Sequence, residues 1–458
     1  MMRRAIVLLP FFIFFGSWSV LTAAGAVLAT TSSGQQALRT FTGWLPENVA
    51  AHIGSPTYWL LLLLPFAVVP ATGWVGYRLA RSAVPSASAE VSTPMLLLTS
   101  ATGFAYCFWT LYSIGYWVPG LLFEELDYSA FIARRVAIIE SAGFLFYAVI
   151  YAILPMCSAL FLAKLLKRWS WPDFAGLMCT FAACYYLTFA IYMKLPLVIY
   201  FGTLGLAVIF SRRGWLLLPV IAVAAVGTFL SLQVLIGGFY VEGDLVDAPP
   251  HAKADPIQPG PSIPLPEKPK APPPPNEPKD IKVSDYEWTA RYFGAMRTLG
   301  LGVLFRMSSA YPFYVEVFAD PRERCGIETN SLPLLPAPSC VLPRKIFDAM
   351  YPDVDWTKGF APAAAHVSAY GELGLGYSVV VLIAVGLALG IGSAFIAAGS
   401  GPAFVGIGIT MAMLAYYLTQ VPFLGALTYA HGAIFFLFPV ALSIRRISTQ
   451  HQSLRFRE

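Results

Sequence analysis

The chain has 458 residues, of which 57% are hydrophobic and 12% charged, with a formal net charge of +5. Soluble domains carry about 25% charged residues, so this composition excludes an ordinary soluble domain and points to a protein built in a bilayer. No basic stripe accompanies the positive balance, which leaves no footing for nucleic-acid binding.

In chain order, apolar windows fall at 5–29, 57–79, 94–118, 136–162, 174–193, 195–211, 215–238, 371–396, 402–420 and 425–443. Each approaches the roughly 20 residues that a helix needs to cross a membrane. The expected fold class is an all-α polytopic membrane protein with ten transmembrane helices. The opening MMRRAIVLLPFFIFFGSW has the basic front and apolar middle of a signal peptide. Its apolar run exceeds the usual 7–15 residues or so, and it reads as an uncleaved first span. MKLP, at 193–196, makes the boundary between spans five and six, where Pro196 would otherwise kink one long helix.

Lysine and arginine set the orientation. With the N-terminus cytoplasmic, thirteen basic residues lie inside: Arg3, Arg4, Arg78, Arg81, Lys164, Lys167, Arg168, Arg212, Arg213, Arg445, Arg446, Arg455 and Arg457. The short outer loops hold four, namely Arg39, Arg134, Arg135 and Lys194. Both termini are therefore expected in the cytoplasm. The chain divides into spans one to seven (1–238), one large outer loop (239–370), and spans eight to ten with a cytoplasmic tail (371–458).

That loop has three parts. Residues 249–280 form a proline-rich tether, extended and without a core. It reads as a spacer or as a docking ligand for an envelope partner. Residues 286–318 form an amphipathic helix whose Arg291, Arg297 and Arg306 argue against a full span. It is expected to lie on the outer surface or to pack over the bundle. Residues 319–359 are a compact polar segment. Cys325 and Cys340 are the chain's two loop cysteines, and a disulfide between them fits an oxidising compartment. Cys107, Cys157, Cys179 and Cys184 lie in apolar runs and read as small buried hydrophobes.

No Walker loop, GxSxG, HExxH or dinucleotide fingerprint occurs. No metal motif is evident; FEELDY, with Glu124, Glu125 and Asp127, comes nearest and reads as a solvated outer loop. The outer arginines stand against the positive-inside bias. Guanidinium groups bind phosphate through paired hydrogen bonds and hold their charge at any working pH. Arg134, Arg135, Arg291, Arg297 and Arg306 are thus candidates for holding a lipid-linked diphosphate, or else they pair with Glu287, Glu316, Glu323 and headgroups. In FAPAAAHVSAYGELGLGY, His366 falls just outside span eight and Glu372 in its first turn, where the helix dipole favours an acid. Gly371, Gly374 and Gly376 permit close helix approach or a bent entry.

These features resemble the O-antigen polymerase and O-antigen ligase superfamily. The carrying residues are AAAHVSAYGELGLG, RYFGAMRTLGLGVLFRMSSAYPF and YYLTQVPFLGALTYAHG. The resemblance implies an enzyme of the bacterial inner membrane. It moves a glycan from an undecaprenyl-diphosphate carrier to an acceptor sugar, with no cofactor, metal or nucleotide. Arg306 and the other arginines would meet the leaving diphosphate, His366 would activate the acceptor hydroxyl, and Tyr370 and Glu372 would contact substrate. HV in place of the ligases' HN favours a Wzy-type repeat-unit polymerase. The implied partners are a lipid-linked oligosaccharide, membrane lipid, and a chain-length regulator or other envelope protein at the proline-rich segment. Two other readings stand beside it: a flippase of lipid-linked sugars, and a non-enzymatic subunit of an envelope assembly machine.

Overall fold

The computed structural model describes residues 2–42, 44–83, 87–117, 128–191, 193, 195–237, 305, 307–327, 340–352 and 360–446. The tether, Arg291, Arg297, Arg306 and the FEELDY carboxylates lie outside the described residues, as does the side chain of Arg135.

Helices dominate. The ones that position the site are α1 (Leu9–Ala29), α2 (Pro56–Ala83), α3 (Thr93–Ser113), α4 (Tyr128–Ser141), α5 (Gly143–Lys167), α6 (Trp171–Ile191), α7 (Leu195–Ser211) and α8 (Leu217–Gly237), with shorter helices at Met2–Val7, Ser32–Thr42 and Glu47–His52. Then follow α9 (Ala310–Val317), α10 (Leu342–Met350), α11 (Ala365–Leu373), α12 (Leu375–Ala398), α13 (Pro402–Tyr417) and α14 (Phe423–Ser443). Seven of them, α1, α2, α3, α5, α6, α12 and α14, are long and apolar enough to cross a membrane. The chain is a membrane protein. Helices α7 and α13, and the Leu217–Thr228 part of α8, are apolar but shorter. α14 is interrupted at 429–432, between Phe423–Thr428 and Ala433–Ser443.

The main core is organised around α5. Every residue from Phe146 to Ala163 except Tyr147 is buried, and the helix is apolar on all sides because other helices enclose it. Cys107, Cys157 and Cys184 are buried here, but Cys179 is exposed, since α6 buries one face and turns the other outward.

The closest packing joins α2 to α12. Gly386 lies against Val69 and Thr72, and Gly390 against Gly73 and Tyr77, so the two helices run parallel. A Cβ on Gly386 would collide with the Thr72 hydroxyl, and one on Gly390 with the Gly73 carbonyl. Small residues let backbones meet where lipid leaves no hydrophobic drive for association.

The two ends of the bundle differ. At one end, strand β1 (Ala87–Val91) pairs in parallel with β2 (Gly399–Ser400) and antiparallel with β3 (Ile444–Arg446), in the order β2-β1-β3. Apolar periodicity gave no hint of this small sheet, which ties together the segments following α2, α12 and α14. Ion pairs from Lys164 to Asp173 (3.1 Å) and from Lys167 to Glu90 brace the same end. At the other end a second core forms a cap from the end of α1, the segment that joins it to the start of α2, and α9, α10 and α11. Helix α9, the described part of the segment expected to form the loop helix, is buried all round from Ala310 to Val315. Tyr311 donates to the Tyr58 carbonyl (2.5 Å) and Tyr314 to that of Ala361 (3.1 Å).

Candidate functional site

The cap is built on α11, and its sequence explains its position residue by residue. The Leu61 carbonyl in α2 lacks a helical donor, because the residue four further on is Pro65, which has no N–H. His366 Nε2 supplies the missing hydrogen bond at 3.1 Å. A carbonyl only accepts, so Nε2 carries the proton. Beside it Trp18 Nε1 donates to the Leu62 carbonyl (3.3 Å), and the indole meets the imidazole edge-on, with centroids 4.6 Å apart. Trp18 is followed by a π-helical turn, Ser19–Ala23, a distortion that often marks functional helices. Ser378 Oγ donates to the His366 carbonyl (2.8 Å), and the Ala365 N–H to that of Leu418 (2.9 Å).

The glycines differ in what they do. A Cβ at Gly371 would strike Leu342 and the Phe318 ring, so this glycine permits close packing. Gly374 has φ of 92°, which ends α11 and lets α12 start in a new direction. A Cβ there would also lie 2.6 Å from an Arg324 nitrogen. Gly376 has nothing nearby.

Two sequence expectations change. Glu372 does not open a helix; it lies in the last turn of α11, where the dipole of its own helix disfavours an acid. The explanation by helix dipole therefore fails, and the carboxylate needs another reason. It is 6% exposed and lines a cavity of about 90 Å³ with Tyr377, Ile327 and residues at the start of α14. His366, in turn, is only 1% exposed, and burial pushes its pKa down to about 4. At neutral pH it is uncharged, closed off from solvent, and committed through Nε2 to Leu61. A base needs access to the proton it takes, so the geometry fits His366 to holding α11 rather than to activating a hydroxyl.

Arg324 is the residue that sequence reasoning passed over. Three neighbouring cations are paired: Arg322 with Asp320 (2.9 Å), Lys345 with Glu323 (2.7 Å) and Arg344 with Asp348 (2.9 Å). The Arg322 bonds also hold the Asp320 carboxyl below its usual range. Among the described residues Arg324 forms no ion pair. Its guanidinium lies 5.8 Å from the centroid of the Tyr370 ring, and its Nε donates to the Phe318 carbonyl (3.4 Å). Burial raises the Tyr370 hydroxyl pKa, and Arg324 works against that rise. Its place beside Cys325 was the available signal. Cys325 and Cys340 form a disulfide, with Cα atoms 5.3 Å apart. The Cys325 and Gly326 N–H groups donate to the Gly371 and Glu372 carbonyls, both at 3.1 Å. Arg324, Tyr370 and Glu372 thus converge on one end of α11.

Arg134 has other partners. It donates to the Tyr116 carbonyl (3.2 Å) and stacks on that ring at 4.9 Å. Glu316 accepts from Asn48, so it and Glu323 have partners other than the loop arginines of the sequence expectation.

No family model, curated protein or solved structure matches the chain.

Proposed function

We propose that this protein is a glycosyltransferase that polymerises oligosaccharide units carried on a polyprenyl diphosphate, at the outer face of the bacterial inner membrane. The observation that carries the reading is the convergence of Arg324, Tyr370 and the buried Glu372 on the capped end of an apolar bundle. In this scheme Glu372 takes the proton of the acceptor hydroxyl. The freed oxygen bonds to the anomeric carbon, the bond from that carbon to the diphosphate breaks, and its electron pair leaves with the diphosphate. Arg324, joined by Arg291, Arg297 and Arg306 of the loop, meets the growing charge. His366 keeps α11 in register.

Topology supports this placement. The ten-span count makes spans two and eight run the same way, and α2 and α12 are parallel. Lys164, Lys167, Arg212 and Arg213 gather at the sheet end, which the positive-inside rule assigns to the cytoplasm. The disulfide belongs to the opposite end, as an oxidising compartment requires.

The test is chain elongation by the purified protein in liposomes supplied with a polyprenyl-diphosphate oligosaccharide. Glu372→Gln is expected to slow elongation roughly 10²–10⁴-fold, and Arg324→Ala about 10²–10³-fold, with normal membrane insertion. A Glu372→Gln protein that elongates at the wild-type rate would falsify the mechanism. The break in α14 at 429–432, beside His431, favours a second reading as a flippase. Transbilayer movement of labelled substrate without elongation would establish that alternative.

A further inference from the structure

The sheet end holds a second polar site, independent of the reaction proposed above. A cavity of about 260 Å³ opens there between the ends of α5, α7 and α12 and the start of α13. Its lining includes Lys167, Arg212 and Arg213, the serines Ser88, Ser211 and Ser400, and no carboxylate among the described residues. Among the described residues the nearby acids are engaged, Glu90 by Lys167 and Asp173 by Lys164. Lys167 thus has an anion of its own, and the guanidiniums of Arg212 and Arg213 with the three serine hydroxyls supply the other donors on the cavity wall.

The backbone is committed to this arrangement. Arg212 has φ of 57°, the only positive value at a non-glycine among the described residues. L-residues avoid that region, and such outliers persist where the surroundings hold them for function. Ser211 Oγ is buried and has no hydrogen-bond partner among the described residues. On the facing wall, β1 pairing fixes Gly399 and Ser400, and Gly401 with φ of 92° leads into α13. A Cβ on Gly401 would lie 2.6 Å from the Ala89 carbonyl, so this wall admits only glycine at that point.

We propose that this cavity binds a phosphate ester, supplied by the headgroup of an anionic phospholipid. Guanidinium pairs and hydroxyls are the donors that phosphate oxygens use. The site lies where three apolar helices end, and the ends of membrane-crossing helices meet lipid headgroups. Its floor, with Ala163, Phe210 and Ile396, is apolar, as the glycerol side of a lipid requires.

The test uses the full-length protein in detergent, titrated with short-chain phosphatidylglycerol, short-chain phosphatidylcholine and inorganic phosphate. Phosphatidylglycerol is expected to raise the melting midpoint and phosphatidylcholine to leave it unchanged. Arg212→Gly separates binding from folding, because glycine adopts positive φ freely. This variant should fold at least as well as wild type and bind phosphatidylglycerol roughly tenfold more weakly, as loss of one charge-assisted bond implies. Arg213→Gln should weaken binding similarly. Saturation by inorganic phosphate, lost in the same variants, would keep the phosphate chemistry and reassign its source to a soluble compound. Wild-type phosphatidylglycerol affinity in Arg212→Gly and Arg213→Gln, or equal binding of phosphatidylcholine, overturns the proposal.

Discussion

Two histidines near the capped end occupy contrasting surroundings. His366 lies in α11 with its polar demand met, since it donates to Leu61, and Trp18 covers its ring. His431 sits at the break in α14 among tyrosines, with ring centroids 4.3 Å from Tyr417, 5.8 Å from Tyr429 and 6.2 Å from Tyr151. Both regions adjoin a π-helical turn, Ser19–Ala23 in one case and Val149–Ile153 in the other. Beside His431, however, Tyr417 OH is buried without a partner among the described residues, as is Gln420 Nε2 three positions further along the chain. The first region is a closed joint, in which an imidazole replaces a donor that proline removed. The second retains hydrogen-bonding capacity that only a rearrangement or a ligand would use. Residue type and neighbour type are alike, so the difference comes from what each backbone break leaves unsatisfied.

The sharpest way to expose this contrast is pH. With a folded-state pKa near 4 against 6.5 when unfolded, His366 binds more protons in the unfolded chain between those values. Its contribution is therefore complete above pH 6.5, falls as pH drops, and levels off near pH 4. The loss amounts to about 3 kcal/mol. Melting in detergent across this range should show the slope, and His366→Gln, which can still donate but does not titrate, should flatten it. An unchanged slope in His366→Gln would assign the acid sensitivity elsewhere.

At neutral pH, His366→Phe strands the Leu61 carbonyl and is expected to cost about 1–3 kcal/mol. Adding Pro65→Ala restores an intrahelical N–H, so the same histidine replacement should cost less in that background. A double-mutant cycle should give a coupling of about 1 kcal/mol, within the range seen for residues sharing one network. Strict additivity would mean that the proline and the histidine do not serve the same carbonyl.

The smallest effects compare two buried tyrosines. Tyr314→Phe removes the donor to Ala361 and should destabilise by about 1 kcal/mol. Tyr417→Phe removes a hydroxyl without a partner among the described residues and should be neutral or slightly stabilising. A large loss at Tyr417 would show that its hydroxyl is already used in the resting protein.

Part of this was legible in residue order. Each apolar window contains a helix, because in lipid every backbone polar group must find its partner within the segment or a neighbour. The pairing of Cys325 with Cys340 needed only that they are the two cysteines outside apolar runs. Other features were not legible. Pro65 announces an unmatched carbonyl at Leu61, but nothing local says that a donor 305 positions away will fill it. Glu372 looked like the first turn of a span until Gly374 adopted positive φ and divided the segment. Arg212 read as a loop cation, and only its dihedral and its place on a cavity wall distinguish it.

Sequence alone determined that this is a helical membrane protein, because hydrophobicity and length are summed along the chain and need no partner. Tertiary structure decided which charges converge. Arg324 reaches Tyr370, Lys167 joins Arg212 and Arg213, and Arg134 turns to Tyr116. Electrostatic and hydrogen-bonding roles depend on distance, direction and burial, and these exist only once the helices have packed.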